Sequence, residues 1–497
     1  MAVGRGTLTV VIGVVLAALA TVGAILSPPS FDPPPLPVTQ NFQALPAQPA
    51  AERGPIALID PITEQEVEVP AQGTTLRATI RAPRAAGRHP AIVFVSGSGR
   101  GDREEFAPQA DWLARAGIVT LTFDKRTVGY SFRHRDFGLL ADDALRMVRV
   151  LGRRPDVDRT RIGIWGVSEG GWVVPIAAAR STDVGFAVLV SSPNVSPMRQ
   201  VAWALNEQLL RLHAPSGVRD LLTRAMGGFG FNFLRYDGTP VIERVRQPVL
   251  ALYGTADPSI PFVESTRTLT SALRAGGNHD YTIRFLAGAD HAMRVHGGPY
   301  ADGYLPTLAH WVLGLPGGRR PAVPMAGATP VQRFEAADVP KAPWYGDVGF
   351  LSLTLMVTAV GLVTAPVTEM VTRLRGHDLR LHINTRLWPR IRLRLRRMAW
   401  TGLGLFAAIA AFILVIVLFS VNQAGAWPAV LAGWLVIRVL AVLLLVQEVT
   451  AGAAVLAGLR DGWQPSRWQK LVMTGALGGT GLLMVACAYY GLFSLPW

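Results

Sequence analysis

A serine set between closely spaced glycines is the clearest chemical signal in the sequence. The segment Gly-Val-Ser-Glu-Gly-Gly at 166–171 follows a short apolar run and precedes a helical stretch. A sharp strand-to-helix turn of the pattern G-x-S-x-G exposes a serine hydroxyl, and it needs glycines because the turn leaves no room for side chains. The pattern predicts that Ser168 is a nucleophile. A chance match is disfavoured by the predicted strand before it and the predicted helix after it.

A serine hydroxyl becomes a good nucleophile only when a base takes its proton, and that base needs a carboxylate to orient it. Asp257 follows an apolar run at 249–253, and His291 follows another at 281–285. Sites in parallel sheets form at the carboxyl ends of strands, where Ser168 is also expected. The sequence therefore predicts that Ser168, His291 and Asp257 form a catalytic triad.

Alternatives remain open for two of these roles. Asp290 or Glu264 could supply the carboxylate, and Asp257 would then only begin a turn before Pro258. Three other histidines compete as the base, although none follows a predicted strand so directly: His279, His296 and His310.

Acyl transfer also needs hydrogen-bond donors for the oxyanion. The backbone N–H of Glu169 is one predicted donor, and Gly97 and Ser98, in the glycine-rich loop after the apolar run 91–95, are predicted to supply another. The same loop resembles a dinucleotide-binding G-x-G-x-x-G turn, but Asp102 stands where the last glycine is required. No cofactor is therefore expected. No metal site is expected either, because the chain has a single cysteine and no C-x-x-C motif.

The elements that would position these residues alternate between strands and helices from residue 66 onward. Predicted strands lie at 67–69, 76–81, 91–95, 118–123, 161–165, 187–190, 249–253 and 281–285. Predicted helices lie at 106–116, at 139–151 and after residue 168. This alternation predicts an α/β fold with a doubly wound, mostly parallel sheet. Residues 193–247 interrupt it with helical patterns at 201–213 and 218–226, which are interpreted as a cap.

Hydrophobic residues make up 50% of the 497-residue chain, and its mean hydropathy is +0.30. Five apolar segments are long enough to be predicted as membrane spans, at 7–26, 348–366, 400–421, 428–446 and 471–493. The first is interpreted as an uncleaved anchor, with a cleaved signal peptide as the alternative. Under either interpretation, the domain that follows is predicted to be exported from the cytoplasm.

The net charge of +14 could indicate a nucleic-acid partner, but the placement of the charge argues against one. Nine arginines and only two acidic residues, Glu369 and Asp378, lie at 367–398, between two predicted spans. Basic loops of this kind favour the cytoplasmic side and attract anionic lipid headgroups. The sequence predicts a multi-pass protein of the cell membrane whose hydrolase-like domain is extracytoplasmic.

Residues 60–315 resemble the α/β-hydrolase superfamily, within it the bacterial esterases and prolyl-oligopeptidase-like hydrolases. The resemblance is carried by the elbow at 166–171, by the loop Gly-Ser-Gly-Arg-Gly-Asp-Arg-Glu at 97–104 and by Asp-Lys-Arg-Thr-Val-Gly-Tyr-Ser at 124–131. It implies the same triad, position by position. Val167 and Thr127 depart from the pattern, because relatives often have histidine and glycine there.

Together these features predict a serine hydrolase that cleaves a small-molecule or lipid carboxylic ester through an acyl-enzyme. Acyl transfer, peptide hydrolysis on the same fold and a non-catalytic membrane sensor or transport component are the alternatives. The predicted layout is an anchor at 1–27, a proline-rich linker at 28–55, a hydrolase domain at 56–316 with its cap at 193–247, a linker at 317–346, and a four-span membrane region at 347–497.

Overall fold

The computed structural model describes residues 5–131, 133–315, 323–374, 387–421 and 427–494. The chain divides into two compact units. The catalytic unit consists of Pro33–Glu207 and Phe231–Asp338. The helical unit consists of Met1–Asp32, Gln208–Gly230 and Val339–Trp497.

The strands of the described residues form one nine-stranded sheet in the catalytic unit, in the order β1-β2-β4-β3-β5-β6-β7-β8-β9. Their bounds are β1 Ile62–Ala71, β2 Thr74–Pro83, β3 His89–Val95, β4 Val119–Phe123, β5 Val157–Val167, β6 Phe186–Val190, β7 Val249–Gly254, β8 Tyr281–Leu286 and β9 Met325–Gly327. Strand β2 pairs antiparallel with β1 and β4, and all other neighbours are parallel. The predicted mostly parallel α/β sheet is confirmed.

The helices divide between the two units. Their bounds are α1 Arg5–Leu26, α2 Ala50–Arg53, α3 Ala107–Arg115, α4 Phe137–Gly152, α5 Gly170–Arg180, α6 Pro197–Arg211, α7 Ser216–Gly227, α8 Thr239–Ile242, α9 Phe262–Ala275, α10 Tyr304–Leu313, α11 Val348–Leu374, α12 Trp388–Val421, α13 Trp427–Arg460 and α14 Arg467–Tyr489.

The central strands are buried on both faces, which explains why their sequences are continuous apolar runs. Every residue of β6, β7 and β8 is buried. Helices α3 and α10 contribute to the core cluster on one face, where Phe94, Trp165 and Phe106 pack ring against ring. Helices α4 and α5 pack together beside β5. Because β3, β5, β6, β7 and β8 run parallel to one another, their carboxyl ends lie at the same edge of the sheet.

The two segments predicted as linkers have described residues in the catalytic unit, at 33–55 and 323–338. These residues pack onto that unit. Leu36 N donates to Arg333 O at 2.8 Å, and Pro35 and Phe334 form a β-bridge. The buried Arg284 of β8 forms a bidentate ion pair with Glu52 at 2.6 and 2.7 Å. Residues 33–55 are thus not an extended tether. Residues 317–322 of the second predicted linker lie outside the described residues.

The described part of the helical unit contains four helices that are long and apolar enough to cross a membrane: Gly6–Leu26, Trp388–Ile416, Pro428–Arg460 and Arg467–Tyr489. The predicted span 348–366 falls in α11, whose apolar part, Val348–Thr364, is shorter. The last arginines of the basic segment, from Arg390 to Arg397, are helical because α12 begins at Trp388. Residues 375–386 of that segment and the predicted loop at 422–426 lie outside the described residues.

Part of the segment predicted as a cap belongs to the helical unit. Gly217 of α7 lies against the Trp434 ring of α13, and Arg224 of α7 donates to Tyr489 O at 3.0 Å. The predicted cap at 193–247 is therefore divided between the units, with Gln208–Gly230 in the helical one.

Candidate active site

The predicted nucleophile lies in a sharp turn between β5 and α5. Ser168 has φ = +53°, a left-handed conformation that is uncommon for a residue with a side chain. Its N–H donates to Val190 O at 3.0 Å, and its carbonyl accepts from Gly171 N at 2.8 Å. These bonds hold the strained residue at the carboxyl edge of the sheet, where its side chain follows β5.

The glycines around Ser168 are required by close approaches of the backbone. A Cβ on Gly166 would lie 2.6 Å from Gly170 O, and one on Gly170 would lie 2.8 Å from Val95 O. Both distances are too short for a carbon atom beside an oxygen. The glycines therefore provide space in the turn, and Ser168 itself adopts the unusual φ.

His291 and Asp257 come together at the ends of β8 and β7. His291 Nδ1 lies 2.9 Å from Asp257 Oδ2, and Asp257 Oδ1 accepts from Ser259 N at 2.7 Å. The Asp257 side chain is 1% exposed, whereas that of His291 is 32% exposed. A buried carboxylate therefore fixes one ring nitrogen and leaves the imidazole accessible, which is the arrangement that a general base needs.

The electrostatics of this pair favour protonation of the imidazole. Burial alone lowers the pKa of His291, but the charge and hydrogen bond of Asp257 and the charge of Asp290 outweigh it. The pKa of His291 is consequently raised above its ordinary value of 6.5. A carboxylate that stabilises the imidazolium helps the base to accept the proton of a serine.

Strand β6 links the elbow to the histidine loop. Its last residue, Val190, accepts the Ser168 N–H, and the next residue, Ser191, donates through Oγ to His291 O at 3.0 Å. Ser191 is fully buried and has φ = +46°. One strand end thus supports both the turn of Ser168 and the loop of His291.

The competing carboxylates have other partners. Asp290 Oδ1 accepts from the N–H groups of Ala292 and Arg294, each at 2.9 Å, and so shapes the histidine loop. Glu264 Oε2 accepts from Gln332 Nε2 and from Ala336 N, both at 2.6 Å.

Two of the competing histidines, His279 and His310, lie outside the loop of His291. His310 Nε2 lies 3.0 Å from Gly54 O. His279 precedes β8 and therefore lies at the opposite edge of the sheet from His291. His296, in the same loop as His291, has φ = +50°.

The predicted oxyanion donors lie beside the elbow. A Cβ on Gly97 would be 3.4 Å from Ser168 Cβ, so the loop after β3 passes close to Ser168. Among the described residues, the backbone N–H groups of Gly97, Ser98 and Glu169 donate to no backbone or side-chain acceptor. Unpaired donors next to a nucleophile are suited to an oxyanion.

The Glu169 side chain, beneath those donors, is the centre of a buried ionic cluster. It is 0% exposed and accepts from Lys125 Nζ at 2.7 Å, from Arg135 Nη1 and from Tyr130 Oη at 2.9 Å. Arg135 Nη1 also donates to Ser98 Oγ at 3.0 Å, and Lys125 Nζ donates to Gly97 O. The cluster thereby ties both sides of the predicted oxyanion site together.

Burial is the main cause of the pKa shifts of two groups in the Glu169 cluster, Lys125 and Tyr130. The pKa of Lys125 is lowered because burial outweighs the charge and hydrogen bond of Glu169. Burial and then the Glu169 charge raise the pKa of Tyr130 to about 12, so its hydroxyl remains a donor.

The segment 124–131 surrounds this cluster with two further ion pairs. Asp124 Oδ2 accepts from Arg103 at 2.8 Å, which fixes the loop after β3. Arg126 binds Asp143 of α4 at 2.6 and 2.8 Å, and both side chains are 2% exposed.

Sequence reasoning missed Lys125, Tyr130, Arg135 and Ser191. The signal for the first two was present, because both lie within the segment 124–131 that carried the resemblance. Arg135 and Ser191 had no such signal. Within the described ranges, no group of three or more His, Cys, Asp or Glu side chains is arranged to hold a metal ion.

Comparison with known proteins finds a matching family model and two groups of relatives. The model of the prolyl oligopeptidase family matches residues 105–311, which include Ser168, Asp257 and His291. This chain contains an α/β-hydrolase domain of the serine hydrolase type. Esterase EstD of Thermotoga maritima is 26% identical over 226 residues, which are 40% of this chain and 53% of the esterase.

A second group of relatives consists of fungal peptidases. Dipeptidyl-aminopeptidase B of Aspergillus niger is 24% identical over 254 residues, which are 47% of this chain and 26% of the peptidase. The chain thus spans about half of the length of the esterase and about a quarter of the length of the peptidase.

Solved structures similar to the chain include 2,6-dihydroxy-pseudo-oxynicotine hydrolase, with a TM-score of 0.39 and 17% identity over 54% of this chain and 72% of that one. A putative dienelactone hydrolase from Klebsiella pneumoniae gives a TM-score of 0.38 and 18% identity over 51% of this chain and 98% of that one. Likenesses this distant say nothing about substrate.

Proposed function

We propose that the hydrolase cleaves carboxylic esters with Ser168 as nucleophile, His291 as general base and Asp257 as the orienting carboxylate. The observation that carries the proposal is the combination of a left-handed serine at a strand-to-helix elbow with a His291–Asp257 pair 2.9 Å apart. Both features follow strands that end at one sheet edge, Ser168 after β5 and the pair after β7 and β8, and β6, between β5 and β7, supports both.

The reaction would proceed in two acyl-transfer steps. His291 takes the Ser168 proton as Oγ attacks the ester carbonyl, and the N–H groups of Glu169 and of the Gly97–Ser98 loop stabilise the oxyanion. The imidazolium then protonates the leaving alcohol, which releases it and forms the acyl-enzyme. Water, deprotonated by the same imidazole, attacks the acyl-enzyme and releases the acid and free Ser168.

The test is covalent labelling of the full chain with a fluorophosphonate, followed by an ester hydrolysis assay. Wild-type protein should be labelled and active, and Ser168→Ala should be neither. Ser181→Ala is the matched control, because Ser181 lies at the other end of α5 and should leave both readouts unchanged. Labelling of Ser168→Ala at wild-type level would contradict the assignment of the nucleophile.

Peptide hydrolysis is the second candidate, favoured by the prolyl oligopeptidase match and the dipeptidyl-aminopeptidase relatives. It uses the same triad, so a substrate comparison separates the two. Esters and dipeptidyl para-nitroanilides of matched size should be assayed side by side. A higher kcat/KM for the anilides, lost in Ser168→Ala, would favour the peptidase.

The proposal places the hydrolase in the cell membrane, with its catalytic unit on the extracytoplasmic side. The four long apolar helices and the arginine-rich sequence at 367–398 support this assignment. A membrane location would also give the enzyme access to lipid esters.

A further inference from the structure

A cavity of about 620 Å³ in the catalytic unit has no role in the mechanism above. That volume is in the range of sites for small organic ligands. Four arginines and three aromatic side chains dominate its lining: Arg135, Arg180, Arg235, Arg244, Phe137, Phe233 and Tyr236.

The cavity has an excess of positive charge. Arg135 forms an ion pair with Glu169, and Arg180 forms one with Asp142 at 2.8 Å. Arg235 and Arg244 are exposed, and among the described residues neither side chain has an acidic partner. Two guanidinium groups are therefore available to a ligand.

One acid, Asp136, lines the cavity, and it does not cancel this charge. Its Oδ1 accepts from Leu139 N at 3.0 Å, so it caps the N-terminus of α4. The carboxylate therefore serves the helix and leaves the two arginines unpaired.

Two buried hydrogen-bond donors in the lining also lack partners among the described residues, the Tyr236 hydroxyl and Arg135 Nε. Burial and then the charge of Asp237 raise the pKa of Tyr236 to about 12, so the phenol keeps its proton. Buried polar groups are normally satisfied, and unsatisfied donors facing a common space call for an acceptor from a ligand. An anion would supply such acceptors.

The aromatic side chains of the lining pack against neighbouring side chains. Phe137 stacks on Trp172 with ring centroids 5.4 Å apart, and the Arg135 guanidinium lies 4.5 Å from the Phe233 ring centre. An apolar surface beside two arginines without acidic partners fits a ligand with an apolar or aromatic body and an anionic group.

Arg135 connects the cavity to the candidate active site. Its guanidinium lines the cavity and also binds Ser98 Oγ and Glu169, the residues on the two sides of the predicted oxyanion site. A substrate held in the cavity would thus lie close to the predicted oxyanion site, where its ester bond would be cleaved.

We propose that this cavity binds the anionic group of the substrate, so that the preferred substrate is an ester carrying a carboxylate or phosphate on an apolar or aromatic body. The proposal rests on the ester hydrolase function proposed above. Arg235 and Arg244 bind the anion through charge-assisted hydrogen bonds, and Phe137, Phe233 and Tyr236 contact the body.

Matched pairs of esters test the proposal with the full-length protein. The para-nitrophenyl monoester of glutaric acid and para-nitrophenyl valerate differ by one carboxylate in the acyl group. The acetates of para-hydroxybenzoate and para-cresol differ by one in the leaving group, and para-acetoxyphenyl phosphate replaces the carboxylate by phosphate. These arms show which side of the ester and which anion the cavity prefers.

The wild-type protein should favour the anionic member of at least one pair. In Arg235→Gln and Arg244→Gln, the kcat/KM ratio of anionic to neutral ester should fall roughly tenfold per arginine, the size of one charge-assisted hydrogen bond. Arg159→Gln is the control, because Arg159 is exposed at the start of β5, the end remote from Ser168, and should leave the ratio unchanged.

Failure of this proposal is distinguishable from failure of the proposed function. Neutral esters hydrolysed with an unchanged ratio in the double variant would overturn the anion site and leave the hydrolase intact. If wild-type protein cleaves no ester, calorimetric titration of para-hydroxybenzoate and phenyl phosphate into Ser168→Ala decides. Saturable binding lost on adding Arg235→Gln and Arg244→Gln would support the site, and absence of binding would overturn it.

Discussion

Glu169 allows a sharp test of whether the buried ionic cluster supports the catalytic unit. Its carboxylate lies 2.7 Å from Lys125 Nζ, and the two side chains are 0% and 4% exposed. At an effective dielectric constant of about 20, two unit charges at this distance attract by about 6 kcal/mol before desolvation is subtracted. Glu169→Gln keeps the shape and removes the charge, so Lys125 and Arg135 are left buried without their counter-ion.

Removal of one partner of a buried ion pair costs about 3–5 kcal/mol, because the remaining charge is uncompensated. Glu169→Gln is therefore expected to lower the unfolding temperature of the catalytic unit by roughly 6–20 °C. Lys125→Met should cost less, about 2–3 kcal/mol, because Arg135 still neutralises Glu169. The double variant should be about 1–3 kcal/mol more stable than the sum of the single effects, since each substitution removes the other's orphaned charge.

The assay must report on the catalytic unit alone, because the chain has a second compact unit. Full-length protein in detergent is heated in steps, and the fraction of Ser168 that still reacts with a fluorophosphonate is measured. Glu104→Gln is the matched control. Glu104 pairs with Arg81 and Arg103 but is 56% exposed, so its loss should cost at most about 1 kcal/mol. Equal inactivation temperatures for Glu169→Gln and Glu104→Gln, or strict additivity in the double variant, would refute the reasoning.

Three further predictions concern the triad, its pH dependence and the membrane arrangement. His291→Ala should lower kcat about 10⁴-fold in a para-nitrophenyl ester assay and Asp257→Asn somewhat less, and an unimpaired Asp257→Asn would move the carboxylate role to another residue. Catalysis needs neutral His291, and the pKa of His291 is raised, so kcat/KM should fall on acidification with a midpoint above pH 6.5. In Asp257→Asn this midpoint should move to lower pH, because burial then dominates the pKa of His291. An unchanged midpoint in Asp257→Asn would contradict this explanation. The same raised pKa stabilises the fold below pH 6.5, and this contribution is lost as the pH rises through the folded-state pKa. Cysteines introduced at 380–390 should resist membrane-impermeant thiol reagents in intact cells while cysteines on exposed sites of the catalytic unit react, and external labelling at 380–390 would reverse the proposed orientation.

The parts of the fold that the sequence predicted well are those set by local pattern. Strands β3, β6 and β7 are continuous apolar runs because both faces of the sheet are covered, and the predicted runs differ from the observed bounds by two residues or fewer. Ser168 was recognisable because an elbow needs glycines at fixed offsets, and His291 because it directly follows a strand. The short edge strand β9 was missed, since three residues carry too little periodicity.

The rest depended on partners that are distant in the chain. Lys125 has the appearance of a surface residue until Glu169, 44 residues later, is placed beside it. Glu52 lies in a proline-rich segment that resembles a linker, but its ion pair with the buried Arg284 holds that segment on the sheet. Gly217 packs against Trp434, so α7 groups with the long apolar helices although its sequence resembles that of a soluble cap. No local pattern encodes such pairings.

The position of Arg135 explains why Arg235 and Arg244 are the residues to substitute in a test of substrate charge. Arg135 shares Nη1 between Ser98 and Glu169, so its removal would disturb the oxyanion loop and the cavity together. A loss of activity in Arg135→Gln would therefore follow from either role. Arg235 and Arg244 make no such bond to the elbow or its loop among the described residues, and a change in the preference for anionic esters on their substitution can be attributed to the cavity. Of the four arginines in the lining, Arg135 alone also contacts Ser98 and Glu169, so substitution of Arg235 or Arg244 tests the proposed anion site without changing a contact of the predicted oxyanion site.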